Sequence, residues 1–132
     1  MASLFTKIVR GEIPCHKLAE DDRFLAFLDV RPIRPGHALV IPKEEIDQYF
    51  DLDPEAVGDI MRFAQPVAKA IQQVVPCQRV GVAVVGLEVP HAHVHLLPLD
   101  RMADMDFSRA RPAEADELAA MAEKIRRYLP TS

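Results

Sequence analysis

The sequence predicts an α+β fold, an antiparallel five-stranded sheet with helices packed on it. Three observations lead there. Apolar runs of strand length fall into two groups, three before residue 45 and two between residues 80 and 97, with amphipathic runs of helical period between and after them. Within each group the links are too short for parallel crossovers, which favours antiparallel neighbours with the helices on one face. The 132 residues suit one domain spanning 1–132, able to bury a core without disulfides or metal.

The elements follow in order. Leu4, Phe5, Ile8 and Val9 share a helical face, and Gly11 is placed to stop that short helix. Residues 15–20 form a strand, Asp21-Asp22 a turn, and Phe24 to Asp29 a strand with apolar residues on both faces. Arg31-Pro32-Ile33-Arg34-Pro35-Gly36 is a turn, because two prolines and a glycine cannot continue a ladder. His37 to Ile41 is the next strand, closed by Pro42. Asp53-Pro54-Glu55 starts a helix: a capping acid, a proline in the first turn, and an acid near the positive end of the dipole. Val57, Ile60, Met61, Ala64, Val67, Ala68, Ile71 and Val75 continue it at helical spacing, with an interruption and a kink expected at Pro66. Val80 to Val85 and His91 to Leu97 are strands, and residues 113–128 form a final amphipathic helix.

Composition narrows the function. The net charge of -4 argues against a broad footprint for a nucleic-acid polymer, though not against a single nucleotide. Cys15 and Cys77 form no CxxC pair and read as reduced thiols of a cytoplasmic protein. The N-terminus lacks a signal-peptide core, and the longest apolar stretch, Val80 to Val89, is too short to span a bilayer. No membrane partner is expected.

Residues 91–97 read His-Ala-His-Val-His-Leu-Leu. On a strand His91, His93 and His95 would share one face at ~7 Å intervals, with Ala92, Val94 and Leu96 turned into a core. Most of the five histidines are thus spent on one patch. Two chemistries compete for it. A neutral imidazole is a nucleophile toward phosphorus near neutral pH, provided its other ring nitrogen keeps a proton and donates it to a fixed acceptor. Neighbouring imidazoles would stabilise the charge that builds up. Alternatively, alternating histidines could ligate zinc with help from elsewhere.

The run resembles the signature of the histidine-triad (HIT) family, His-φ-His-φ-His-φ-φ with φ apolar, and fits it at every position. The likeness extends to Leu4-Phe5-Thr6-Lys7-Ile8-Val9-Arg10-Gly11-Glu12-Ile13-Pro14, to Leu25-Ala26-Phe27-Leu28-Asp29-Val30 and to Pro35-Gly36-His37-Ala38-Leu39-Val40-Ile41-Pro42-Lys43, covering about residues 3–100 and leaving 101–132 as a C-terminal helical extension. The resemblance implies a HIT-like sheet, a homodimer, and a hydrolase or transferase that cleaves at the α-phosphate of purine nucleotide conjugates such as phosphoramidates. It implies no cofactor and no catalytic metal. By position, His93 is the nucleophile, the His91 carbonyl fixes its tautomer, and His95 binds a non-bridging or leaving oxygen. Asp29 holds the ribose hydroxyls, and Phe27 and Val30 flank the base. A nucleotide-binding module with little catalysis, or a diadenosine polyphosphate hydrolase, is the alternative. On the residues alone, Asp29 could simply cap its strand, and His37 reads as structural, bonding backbone in the turn.

The chain departs from the family pattern in several places. Where relatives often read Gly-Gln-Ser/Thr-Val it has Gly86-Leu87-Glu88-Val89, which puts Glu88 and Val89 beside the bound nucleotide. A carboxylate there repels phosphate and favours a leaving group that carries an amine. An asparagine common in that loop is missing. Some bacterial relatives bind zinc through two cysteines and two histidines, and the aligned cysteine positions here are Ser3 and Thr6, with Glu45 for a histidine. No structural zinc is therefore expected, and Glu45 is expected near His91 as a charged partner of its ring.

Overall fold

The computed structural model describes residues 2–130. Five strands, β1 (Lys17–Glu20), β2 (Phe24–Leu28), β3 (Ala38–Pro42), β4 (Arg79–Ala83) and β5 (Val94–Leu99), form one sheet in the order β1-β2-β3-β5-β4. Every pairing is antiparallel. Three helices accompany it, α1 (Leu4–Val9), α2 (Pro54–Val74) and α3 (Ala115–Arg126). Short 3-10 turns occupy Tyr49–Asp51, Met102–Met105 and Phe107–Arg109.

Alternation along the strands builds two cores. Phe24, Ala26 and Leu28 of β2, Ala38 and Val40 of β3, and Val94 and Leu96 of β5 meet Ile60, Ala64, Val67 and Ile71 of α2 and Leu118, Ala122 and Ile125 of α3. The residues between them, Leu25, Phe27, Leu39 and Ile41, face the other way and gather under Phe5 of α1. The helices are therefore not all on one face. β2 and β3 are apolar on both sides, and the second side needs its own cover, which α1 supplies.

The local signals act as the residues dictate. Asp53 caps α2 by accepting the Ala56 N–H at 2.8 Å, with Pro54 in the first turn. The interruption expected at Pro66 does not occur: α2 runs through it from Pro54 to Val74. Proline removes one helical hydrogen bond there, while buried Ala64 and Val67 on either side keep the helix seated on the sheet. In the β2–β3 turn Gly36 has φ +97°, and a Cβ would lie 2.6 Å from Val75 Cγ2, so the turn demands glycine twice over.

One boundary matters for function. The last strand begins at Val94, not His91, so His91, Ala92 and His93 enter the sheet without joining the ladder. No helix among the described residues is long and apolar enough to cross a membrane. Cys15 and Cys77 are free thiols.

Candidate functional site

On the α1 face of the sheet lies a cavity of about 430 Å³, a size suited to a small ligand. Its wall includes His93 and His95, together with Phe27, Asp29, Val30, Glu88 and Val89. Seven of the eight residues marked in the sequence thus converge. The eighth, His91, is fully buried behind the cavity. The three rings do not form an exposed patch, because Phe5 of α1 stands edge-on to two of them, its centroid 5.8 Å from His91 and 5.0 Å from His93, and all three are buried.

Hydrogen bonds fix the protonation of each ring. His91 Nε2 lies 2.8 Å from the Pro42 carbonyl, which can only accept, so Nε2 carries the proton. Nδ1 then accepts from the Ser3 hydroxyl at 2.8 Å. By the same logic His93 donates Nδ1–H to the His91 carbonyl at 2.7 Å, leaving its lone pair on Nε2. No buried side-chain nitrogen or oxygen among the described residues lacks a partner, and His93 Nε2 has none among them, so it is exposed to the cavity.

His37 does bond backbone in its turn, accepting the Ile33 N–H on Nδ1 at 3.1 Å. It also does more. With Nδ1 accepting, its proton sits on Nε2 and is donated to His95 Nδ1 at 2.9 Å. His95 must then carry its own proton on Nε2, which also has no partner among the described residues and faces the cavity. A bare lone pair on His93 therefore stands beside an N–H donor on His95, with ring centroids 5.0 Å apart. Burial pushes His37 down to about 4. Burial, with the charges of His37 and His93, pushes His95 down to about 3. Both rings are neutral at physiological pH, so His95 is a hydrogen-bond donor and not a cation.

Asp29 leaves β2 at the cavity rim. Its Oδ1 accepts the Arg31 N–H at 2.9 Å, the turn-capping role, and Oδ2 lies 3.6 Å from His37 Nε2. Burial raises its pKa, the Arg31 N–H and the charge of His93 oppose that, and the negative charge of Glu88 adds to it. Asp29, His37 and His95 offer ligand atoms within 4.8 Å of one another. The proton that the Ile33 N–H forces onto His37 Nε2 occupies the lone pair a metal would need, so the cluster reads as a hydrogen-bonded relay.

Ser3, Thr6, Glu45 and His91 also come together. Glu45 does not touch the His91 ring. Its Oε1 accepts the Ser3 N–H at 2.6 Å and the Thr6 hydroxyl at 2.7 Å. Those two donors hold its carboxylate down at about 2. Hydroxyls engaged in this way do not make a zinc donor set, which draws on thiolate, imidazole and carboxylate.

Three site residues escaped sequence reasoning. Phe5 was read only as helix core. His37 reaches His95 because β3 and β5 are neighbours, with Leu39 opposite His95, a pairing across 58 positions that no local pattern carries. Phe107, in the segment after β5, sets its ring 4.7 Å from His95 and 6.2 Å from His37. That segment is tied down by Arg34 on Asp104 at 3.2 Å and by the Ala113 N–H on Val30 O at 3.0 Å.

A family model described as the HIT domain matches residues 10–102. The chain belongs to the HIT family. It is 43% identical over 100 residues to adenosine 5'-monophosphoramidase hnt1 of Schizosaccharomyces pombe, covering 74% of each chain. It is 38% identical over 98 residues to adenosine 5'-monophosphoramidase HNT1 of Saccharomyces cerevisiae, covering 74% of this chain and 62% of that one. Among solved structures, a HIT-like protein from Bartonella henselae superposes with TM-score 0.83 at 29% identity, covering 96% of both chains. A zinc-bound histidine triad protein from Mycobacterium smegmatis gives 0.81 at 29% identity, covering 97% of this chain and 93% of that one. The HIT fold inferred from the histidine run and its flanking blocks is the fold observed.

Proposed function

We propose that the protein hydrolyses purine nucleoside phosphoramidates through a nucleotidyl-histidine intermediate. One observation carries the reading: His93 presents an accessible Nε2 lone pair while its Nδ1–H is tied to the His91 carbonyl, beside the outward N–H of His95. The names of the two yeast relatives, both adenosine 5'-monophosphoramidases, support it.

In the first step His93 Nε2 forms a bond to the α-phosphorus. The phosphorus–nitrogen bond breaks, and its electron pair leaves with the amine, which departs with the proton it carries from solvent. The imidazole becomes cationic, its Nδ1–H still held by the His91 carbonyl. His95 donates to a phosphoryl oxygen where charge accumulates. Water then adds to phosphorus and loses a proton to solvent, and the phosphorus–Nε2 pair returns to His93 as the nucleoside monophosphate leaves. Asp29 holds the ribose hydroxyls, and Phe27 and Val30 flank the base. Among the described residues of the cavity wall, Glu88 and Asp29 outnumber the one cation, Arg31, and this acidic balance disfavours polyphosphate and suits a leaving group bearing an amine. We further propose that one domain spans the chain, and that it acts as a cytoplasmic homodimer joined at the sheet edge β4, where Val82 and, just past the strand, Val84 and Val85 are exposed.

Brief mixing with adenosine phosphoramidate followed by mass spectrometry should reveal adenylated His93, and His93→Ala should abolish both adduct and turnover. AMP binding with no release from any conjugate would replace the enzyme with a binding module. Activity lost to a chelator and regained with zinc would replace the nucleophile with a metal. Faster turnover of diadenosine polyphosphates than of phosphoramidates would overturn the substrate class. Light scattering that gives a monomer mass would overturn the dimer.

A further inference from the structure

The groups that aim His93 lie outside the ladder. β5 begins at Val94, so the peptide joining His91 to Ala92, whose carbonyl takes the His93 Nδ1–H, is not held by sheet pairing. Other contacts hold it. The Ala92 N–H donates to Ile46 O at 2.7 Å, and the His91 N–H donates to Val89 O at 2.8 Å. The His91 ring is clamped at both nitrogens, on Pro42 O and on the Ser3 hydroxyl.

The Ser3 hydroxyl is in turn set by its neighbours. It accepts the Thr6 N–H at 3.0 Å, and its own proton goes to His91 Nδ1 at 2.8 Å in preference to Thr6 Oγ1 at 3.2 Å, because that ring nitrogen has a lone pair to satisfy. Thr6 Oγ1 lies 3.4 Å from His91 Nδ1 but spends its proton on Glu45. One carboxylate oxygen thus gathers the Ser3 backbone and the Thr6 side chain, and charge-assisted bonds of this kind are about twice as strong as neutral ones. The residue after it, Ile46, pins the far side of the same peptide. Residues 42–46 and the start of α1 form a cradle around a stretch of chain that the sheet leaves loose.

We propose that Glu45 is a positioning residue for His93, acting through Ser3, Thr6 and His91 to keep the 91–92 peptide turned so that the nucleophile's proton stays on Nδ1 and its lone pair on Nε2. The proposal rests on His93 being the nucleophile. Removing the carboxylate leaves the Ser3 and Thr6 donors without their acceptor, lets the Ser3 hydroxyl drift off His91, and frees the carbonyl that orients the reacting ring. The nucleotide contacts are not touched, so the loss belongs in kcat and not in KM.

The test measures kcat and KM for adenosine phosphoramidate, alongside long-range 15N–1H spectra of the imidazoles, in Glu45→Ala, Glu45→Gln and Thr6→Val. Glu45→Ala should lower kcat roughly 10- to 100-fold with KM within about twofold of the parent. The His93 pattern should change from a single Nδ1–H tautomer to a mixture. Glu45→Gln keeps an acceptor oxygen in place and should recover most of kcat. Thr6→Val should fall between them with a native circular dichroism spectrum. Folded Glu45→Ala with parental kcat and a parental imidazole pattern overturns the proposal. Should Glu45→Ala not fold, the same parental result in Thr6→Val overturns it. A parental protein without phosphoramidase activity, whose His93 pattern still changes in Glu45→Ala, would refute the nucleophile reading and leave the positioning intact.

Discussion

Acidification probes the buried His37–His95 pair. In the unfolded chain His37 titrates near 6.5, and burial in the fold pushes it to about 4. Above 6.5 both states are neutral and the full stability is present. As the pH falls from there toward 4, the unfolded chain takes up a proton that the folded one refuses, and stability declines. The slope approaches ~1.4 kcal/mol per pH unit, so acidification from about pH 7.5 to about pH 5 costs roughly 2 kcal/mol through this residue. His95 and His91, also lowered by burial, act in the same direction. Glu45 and Asp104 have the opposite sign of charge and lowered values, so their contribution stays whole until the pH drops below their ordinary carboxylate range. Asp29, raised by burial, regains a little stability at the acid end. Urea unfolding at a series of pH values reads the effect directly. With a slope of about 1–3 kcal/mol per molar, the midpoint should fall by roughly 1 M across the window. The decline should shrink in His37→Gln. A midpoint unchanged between the two pH values would mean that these imidazoles titrate as they do in water, and the neutral relay from Ile33 to His95 would fall with it.

Other expectations are simpler. Asp29→Asn should raise KM for a nucleoside phosphoramidate roughly tenfold with a smaller change in kcat, and unaltered steady-state constants would remove Asp29 from the ribose site. Asp53→Ala should lower stability by about 1 kcal/mol through loss of the α2 cap, read by thermal unfolding. Gly36→Ala should cost roughly 2 kcal/mol or more, because it combines a left-handed backbone with a Cβ against Val75, and denaturant unfolding measures it.

Much of the fold was written in local patterns. The Asp53-Pro54-Glu55 start, the spacing along α2 and the doubly apolar β2 each declare themselves within a dozen residues. The doubly apolar β2 also carried a message that the expectation of helices on one face overlooked, since a strand buried on both sides needs two covers. His93 and His95 stood out in the histidine run itself, while Asp29 and Glu88 were brought to the same cavity by the resemblance to the HIT family, and all four line it. What distance brings together was not legible. His37 meets His95 through strand pairing, Phe107 arrives from a segment without periodicity, and the Ser3 hydroxyl reaches the His91 ring across 88 positions. The histidine alternation even misled at one end. It satisfies a strand pattern from residue 91, yet the His91 ring is withdrawn to Pro42 and Ser3, and pairing starts three residues later.

The placement of Phe5 and Ser3 has a practical consequence. The first turn of α1 is part of the wall around the His93 ring, so a change at Phe5 or Ser3 alters the surroundings of that ring without touching a single histidine.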